Sequence, residues 1–335
     1  MKYLAYIESP LQAFNLMEYV NNNGITVDLL VINKKSAVSN LNYSQICYVL
    51  KYFKYREVVS TDIESNRHNI AKIKEFAKSI PSLGSESVSL IGGEYRSLIF
   101  WFIAGQYKKR KLFILDDGTA TLRLNRRTRS FKHFIRDKIY SFLGCIDNFV
   151  EPINFISVYP IADKISLNDS VLTHQYKYFR HLTNSFSNEE NTIYIIGVPL
   201  LEAGVITGDD IALTLSLIVD LESKYKNDCK SLVYIPHRRE RKDKIDIIGR
   251  KVNVKYLEYP FELLPLVSGN NVKHIAGFYS SLFDNMVSIY AEQLVVDSYY
   301  VPSAVVTPDW IDFVKNVYNN YEKYNSKTFK LNNLK

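Results

Sequence analysis

The chain has 335 residues, 47% hydrophobic and 23% charged, with 42 Lys and Arg against 35 Asp and Glu for a net charge of +7. These are values of an ordinary globular protein, and they exclude intrinsic disorder and low-complexity character. The length suits one large α/β domain or two domains of about 150 residues. No apolar run reaches the roughly 18–20 residues that a spanning helix needs. The first apolar stretch is broken at Glu8 and has no small-residue cleavage site, so it is not read as a signal peptide. Cys47, Cys145 and Cys229 lie far apart with no paired spacing, an arrangement expected of a reducing cytosol.

Residues 2–7 form a short apolar run and predict a buried strand. Ser9-Pro10 then offers an N-cap with proline at the first helical position, and Leu11, Phe14, Met17 and Val20 recur at helical spacing. A second β-branched run covers 27–32, so strand, helix and strand open a parallel βαβ unit. The pattern repeats with a strand at 87–91, a helix at 96–106 and a strand at 112–115. A less regular stretch from 123 to about 191 follows. A second series then has strands at 192–196, 232–235, 252–257, 272–275 and 293–296, with helices at 211–225 and 282–290. Two alternating blocks predict two Rossmann-like domains facing a central cleft. The boundaries read as 1–155 and 191–305, with a connecting region at 156–190 and a helical tail at 306–335. The tail is expected to pack back across the first domain.

In open parallel sheets ligands bind at the carboxyl ends of the strands. Four polar clusters follow predicted strands. Asp116-Asp117-Gly118 suits a general base or a Mg²⁺ ligand, or is simply a turn. Pro236-His237-Arg238-Arg239 suits a phosphate-bearing leaving group, with an imidazolium donating a proton and guanidinium neutralising charge, or is an ordinary surface histidine. Ser280-Ser281, after Gly277, suits a phosphate at a helix N-terminus or a plain N-cap. Pro260-Phe261-Glu262 begins a helix and offers a carboxylate suited to a ribose diol. Gly197 follows the strand at 192–196 in the same way.

Taken in order, Ser9-Pro10-Leu11-Gln12, Asp116-Asp117-Gly118, Pro236-His237 and Ser280-Ser281 resemble the bacterial sialyltransferases of lipooligosaccharide and capsule synthesis. Those families carry an acid-acid-Gly, a His-Pro and a Ser-Ser motif on a GT-B scaffold. The similarity is spread from residue 3 to about 290, and it departs from the family at Arg238, where proline is usual. The resemblance implies an α/β GT-B glycosyltransferase that moves sialic acid from CMP-sialic acid with inversion. The base is Asp117, with Asp116 the lesser candidate, and the general acid is His237. Nucleotide and substrate contacts fall to Ser280, Ser281, Glu262, Pro260, Phe261, Gly277, Gly197, Arg238, Gln12 and Ser9. No metal and no cofactor beyond the CMP-sugar donor is implied. The acceptor is an oligosaccharide of a bacterial surface glycan, lipid-linked in one reading, with terminal galactose and an α2,3 bond favoured. Cytoplasmic placement is expected, at the inner face of the membrane in the same reading. CMP-Kdo and nucleotide-diphosphate sugars are the alternative donors.

Between Lys108 and Lys138 eleven basic residues face only three acids, a surplus larger than the net charge of the whole chain. An anionic partner is implied there. Residues 130–143 place Phe131, Phe134, Ile135, Ile139, Phe142 and Leu143 on one helical face, with Lys132, His133, Arg136 and Lys138 over much of the rest. Such a basic amphipathic helix suits an anionic membrane surface, contacted through 126–143. The competing expectations are a helix packed into the first domain and a homodimer interface. Nucleic-acid binding is the remote alternative: the aromatic residues do not interleave with the basic segment, so no nucleic-acid partner is expected.

Overall fold

The computed structural model describes residues 1–36, 40–84, 87–189, 191–228, 230–324 and 326–334. Cys229 lies outside the described residues, and Cys47 and Cys145 are free thiols. The chain divides into two compact units, Met1–Tyr178 and Phe179–Lys335.

The first unit runs β1 (Lys2–Ile7), α1 (Pro10–Asn22), β2 (Val27–Asn33), α2 (Asn40–Val49), β3 (Tyr55–Thr61), α3 (Ile70–Ser79), β4 (Val88–Gly92), α4 (Leu98–Ala104), β5 (Arg110–Leu115), α5 (Phe131–Phe142), β6 (Ile153–Ser157) and β7 (Ser170–Thr173). Its seven strands are all parallel, in the order β3-β2-β1-β4-β5-β6-β7. β2 and β4 are buried along their whole length, as expected where helices cover both faces of a parallel sheet. The α4 sequence LIFWFIA is apolar all round, and six of its seven residues are buried.

α6 (Lys177–Thr183) carries the chain into the second unit. There follow β8 (Ser187–Glu189), β9 (Thr192–Ile196), α7 (Asp210–Lys224), β10 (Ser231–Ile235), α8 (Lys242–Ile248), β11 (Asn253–Val254), α9 (Leu264–Ser268), β12 (Asn270–Val272), β13 (His274–Gly277), α10 (Ser281–Tyr290), β14 (Val295–Tyr299), α11 (Ile311–Tyr321) and β15 (Phe329–Asn332). Six of the strands form a second parallel sheet, β11-β10-β9-β13-β14-β15, while β8 and β12 pair with each other.

Three features differ from the sequence reading. The stretch from 123 to 191 holds two further strands of the first sheet, so that unit continues to Tyr178. The strand read at 272–275 is two strands in different sheets, divided at Lys273. The tail is not only helical: after α11 it adds β15 in parallel to β14, and both elements belong to the second unit.

Candidate active site

In each sheet the strand order reverses beside the first strand of the winding, between β1 and β4 in the first unit and between β9 and β13 in the second. The crevice at such a reversal is the standard ligand position of doubly wound folds.

In the first unit three carboxyl groups sit past the ends of β1, β4 and β5: Glu8, Glu94 and Asp117. Ser9 caps α1, its Oγ accepting from the Gln12 N–H at 3.3 Å, and Pro10 holds the first helical position. That cap aims Gln12 across the strand ends. Gln12 Oε1 accepts from the Glu8 N–H at 2.8 Å, and its Nε2 donates to Asp117 Oδ1 at 2.7 Å. A side chain at Gly93 would block this reach, because a Cβ there would lie 2.4 Å from Gln12 Oε1. Ser9 thus caps α1, and Gln12 is buried with both ends of its amide engaged, which positions Asp117.

Glu94 and Asp117 hydrogen-bond to each other through their carboxyl groups, which requires a proton between them. Arg96 decides where it resides. Its Nε and Nη2 donate to the two Glu94 oxygens at 2.9 and 3.0 Å, whereas its Nη2 is 3.6 Å from Asp117 Oδ2. Burial raises the Glu94 carboxyl, but the bonds from Asp117 and Arg96 outweigh it and hold the group down at about 2. Burial pushes Asp117 well above the carboxylate range, helped by the hydrogen bond and charge of Glu94 and the charge of Glu8, against the lowering bond from Gln12. The proton therefore sits on Asp117. Glu8 is itself buried, bonded by Tyr6 Oη at 2.6 Å and paired with Lys35.

Asp116 has a different task. It is 1% exposed, accepting from Ser157 Oγ at 2.7 Å and from the Val158 N–H at 2.6 Å, so it fastens the end of β5 to the end of β6. Burial, partly offset by these bonds, pushes it up to about 7. The expectation that either acid of the pair could serve as base is corrected by this placement: Asp117, and not Asp116, lines the adjoining cavity. That cavity has a volume of about 830 Å³ and is also lined by Glu94, Arg67, Arg96, Arg123 and His133.

In the second unit Gly197 follows β9, His237 follows β10 and Ser280-Ser281 follow β13. Gly197 leaves room for a carboxylate, since a Cβ there would lie 2.2 Å from Glu240 Oε2. That oxygen accepts from the His237 N–H at 2.7 Å, while Glu240 Oε1 accepts from Tyr234 Oη at 2.8 Å and pairs with Lys244 at 2.6 Å. Lys244 also reaches Asp210 at 2.9 Å. His237 Nδ1 accepts from the Arg239 N–H at 3.1 Å, which fixes the tautomer with the proton on Nε2. Burial, with the charges of Arg238, Arg239 and Lys244, lowers the imidazole to about 3. The imidazolium expected from sequence is therefore corrected: at neutral pH His237 is neutral and presents one Nε2–H.

The charge of Arg238 acts on two site groups. It lowers His237, and it works against the burial that raises Glu262. Glu262 is buried and accepts from Asn285 Nδ2 at 2.9 Å, one turn into α10. Pro260 precedes a short 3₁₀ turn, and the buried Phe261 ring packs edge-on against Tyr194 at 5.4 Å. Ser280 caps α10 through the Leu282 N–H. Its own N–H donates to Tyr321 Oη at 3.0 Å, and Tyr321 donates back to the Ser280 carbonyl at 2.7 Å. The unoccupied donors expected at this N-terminus thus narrow to Ser281: among the described residues, its N–H and hydroxyl have no partner. Gly277 closes β13 opposite Ile196.

Glu94, Glu8 and Arg96 escaped the sequence reading. The rule that found Asp117 would have found the two acids, since Glu8 directly follows β1 and Glu94 follows Gly92-Gly93 at the end of β4. Among the described residues, no group of three His, Cys, Asp or Glu side chains is placed to hold a metal ion.

No family model matches the sequence, and no curated protein matches it. Solved structures do match in fold. The α/β-galactoside α-2,3-sialyltransferase of the luminous marine bacterium Photobacterium phosphoreum superposes with a TM-score of 0.55 at 14% identity, covering 99% of this chain and 98% of that one. The UDP-GlcNAc 2-epimerase of Methanocaldococcus jannaschii, solved with UDP-GlcNAc and UDP, gives 0.51 at 12% identity over 98% and 94% of the two chains. The corresponding epimerase of Neisseria meningitidis, bound to UDP-GlcNAc, gives 0.50 at 13% identity over 97% and 92%. The chain has a mixed α/β fold with parallel sheets, and that fold matches structures of the GT-B type.

Proposed function

We propose that this chain is an inverting, metal-independent sialyltransferase that moves sialic acid from CMP-sialic acid to a terminal galactose of a bacterial surface glycan, forming an α2,3 bond. The observation that carries the reading is the Glu94–Asp117 pair, a carboxyl group with a raised proton affinity bordering a sugar-sized cavity. Support also comes from the motif order and from the likeness in fold to an α-2,3-sialyltransferase.

The first unit supplies the acceptor side. Once Asp117 has lost its shared proton, its carboxylate takes the proton of the acceptor hydroxyl as that oxygen bonds to the anomeric carbon. Arg96 holds Glu94 ionised, which keeps Asp117 basic. The second unit supplies the donor side. The bond from the anomeric carbon to the phosphate oxygen breaks, and CMP leaves with its electron pair. Ser281 N–H and hydroxyl bind the phosphate at the α10 N-terminus, where the helix dipole favours an anion. Arg238 neutralises its charge, Glu262 takes the ribose diol, and His237 Nε2–H donates to the departing oxygen. A bound phosphate opposes the field of the two arginines and raises the basicity of His237, so the histidine becomes a stronger proton store only when the nucleotide is present.

The test is CMP release from CMP-sialic acid with lactose as acceptor and EDTA present. Acceptor-dependent release is expected. No release, with no CMP binding by calorimetry, overturns the donor assignment. Arg238 and Arg239 together offer two cations, which favours a nucleotide diphosphate sugar as the second reading, and UDP-GlcNAc in the same assay tests it.

A further inference from the structure

α5 is turned inside out relative to an ordinary amphipathic helix. Its polar side chains His133, Arg136, Asp137 and Tyr140 line the cavity that reaches Asp117. Its apolar side chains point away: Phe142 is 91% exposed, Phe131 77% and Ile139 55%, with Phe134 and Ile135 exposed as well. At 100° per residue these five fall within one arc of the helix, with Lys138 inside the arc and Lys132 at its edge. Burial in the first unit's own core, one of the expectations for this segment, is thereby ruled out for this face. The Phe134 ring carries the Arg129 guanidinium at 5.2 Å and the Lys138 ammonium at 5.5 Å, while Phe131, Ile135, Ile139 and Phe142 leave an apolar surface exposed that calls for an occupant.

We infer that this face docks the protein on a lipid surface bearing anionic headgroups. Charge complementarity selects the occupant. Among the described residues Lys132 has no ion-pair partner, and Lys138, more than half exposed, has Asp147 at 3.9 Å as its one ion-pair partner and the Phe134 ring at 5.5 Å. The acid on the helix, Asp137, is engaged by Arg129 and Arg136. A second copy meeting this face through a two-fold axis would set lysines against lysines with no acid to offset them. A nucleic acid would meet the lysines and stack a base on a phenylalanine, but it would leave Ile135 and Ile139 in water. An anionic leaflet satisfies both parts, with apolar side chains below the headgroups and lysines level with the phosphates. The helix is 12 residues long, about 18 Å, and lies flat. Among the described residues, no helix is long and apolar enough to cross a membrane. Because the opposite face of α5 lines the cavity, docking holds that cavity within about one helix diameter, ~10 Å, of the lipid surface. An acceptor carried on a lipid would then arrive where Asp117 is. The docking face stands whichever sugar donor is used.

The test is flotation of the full chain with phosphatidylcholine vesicles and with phosphatidylcholine–phosphatidylglycerol vesicles. Binding to the anionic vesicles, at least about tenfold tighter than to the neutral ones, is expected, since each lysine near a charged leaflet is worth roughly fivefold. The pairs Phe131→Ser with Phe142→Ser, and Lys132→Glu with Lys138→Glu, should each weaken it about tenfold or more while leaving melting temperature and CMP release with lactose unchanged. Absence of vesicle binding, or binding that both variants retain, overturns the inference. So does a dimer in sedimentation velocity that the Phe pair converts to monomer without any vesicle binding, which assigns the face to a second copy.

Discussion

The two sheets reverse their strand order in the same way and carry opposite electrostatics at the reversal. The first unit gathers Glu8, Glu94 and Asp117 at its strand ends, and the second gathers His237, Arg238 and the N-terminus of α10. Each end distorts its own titrating group: burial, helped by neighbouring acids, keeps a proton on Asp117, and burial, helped by neighbouring cations, keeps one off His237. The shared reversal of strand order therefore fixes where a site is, while the residues around each strand end fix which proton it holds.

The largest expected effect follows from removing the acid end. Asp117→Asn should lower kcat/KM for sialyl transfer by roughly 10²–10⁴-fold, measured by CMP release. The same change should leave the melting temperature equal or higher. A carboxyl whose affinity for protons is raised in the fold loses stability as pH rises past its unfolded value, and asparagine removes that loss while keeping the bonds of the protonated form. Asp116→Asn is the contrast: Asp116 is also raised, but both its oxygens accept, from Ser157 and from the Val158 N–H, so an amide nitrogen would face a donor and the melting temperature should fall. If Asp116→Asn abolished transfer and Asp117→Asn did not, the two roles would be reversed.

At the basic end, His237→Ala should slow transfer by about 10²-fold, with most of the loss in kcat. CMP binding should also take up protons near pH 7, read as a difference in binding enthalpy between two buffers, and His237→Ala should remove that uptake. Ser281→Ala is expected to weaken CMP by roughly five- to tenfold, about 1 kcal/mol for one lost hydrogen bond, with the fold intact. Ser280→Ala should act on stability instead, because its hydroxyl caps α10.

The interior of both sheets could be read from the sequence because β1, β2, β4 and β9 are largely buried on both faces and so are dominated by apolar residues. The strands that escaped lie at edges or carry a polar interruption. β3 and β7 are exposed edges with mixed composition, and β15 is a four-residue edge. β6 is buried, but Asn154 breaks its run to donate to the Leu112 carbonyl. Asp117 and His237 were legible because each follows a clear strand. Their protonation was not, since burial acts on both, Glu94 and Glu8 act on Asp117, and Lys244 acts on His237, through contacts that local spacing does not encode. The basic segment shows the same limit. Arg110, Arg126 and Arg129 count toward its surplus, yet they pair with Glu151, Asp169 and Asp147, acids outside the window. What remains on the outside is a smaller charge set around an apolar face.

The most direct measurement is the pH dependence of kcat/KM for sialyl transfer in the unaltered chain and in Glu94→Gln. Asp117 must lose its proton to accept one from the acceptor, so activity should rise with pH along a limb lying well above the ordinary carboxylate range. Glutamine removes the neighbouring negative charge and frees Arg96 to turn toward Asp117, both of which lower the Asp117 value, so the limb should move to lower pH. Superimposable rising limbs in the two proteins would contradict the shared-proton pair.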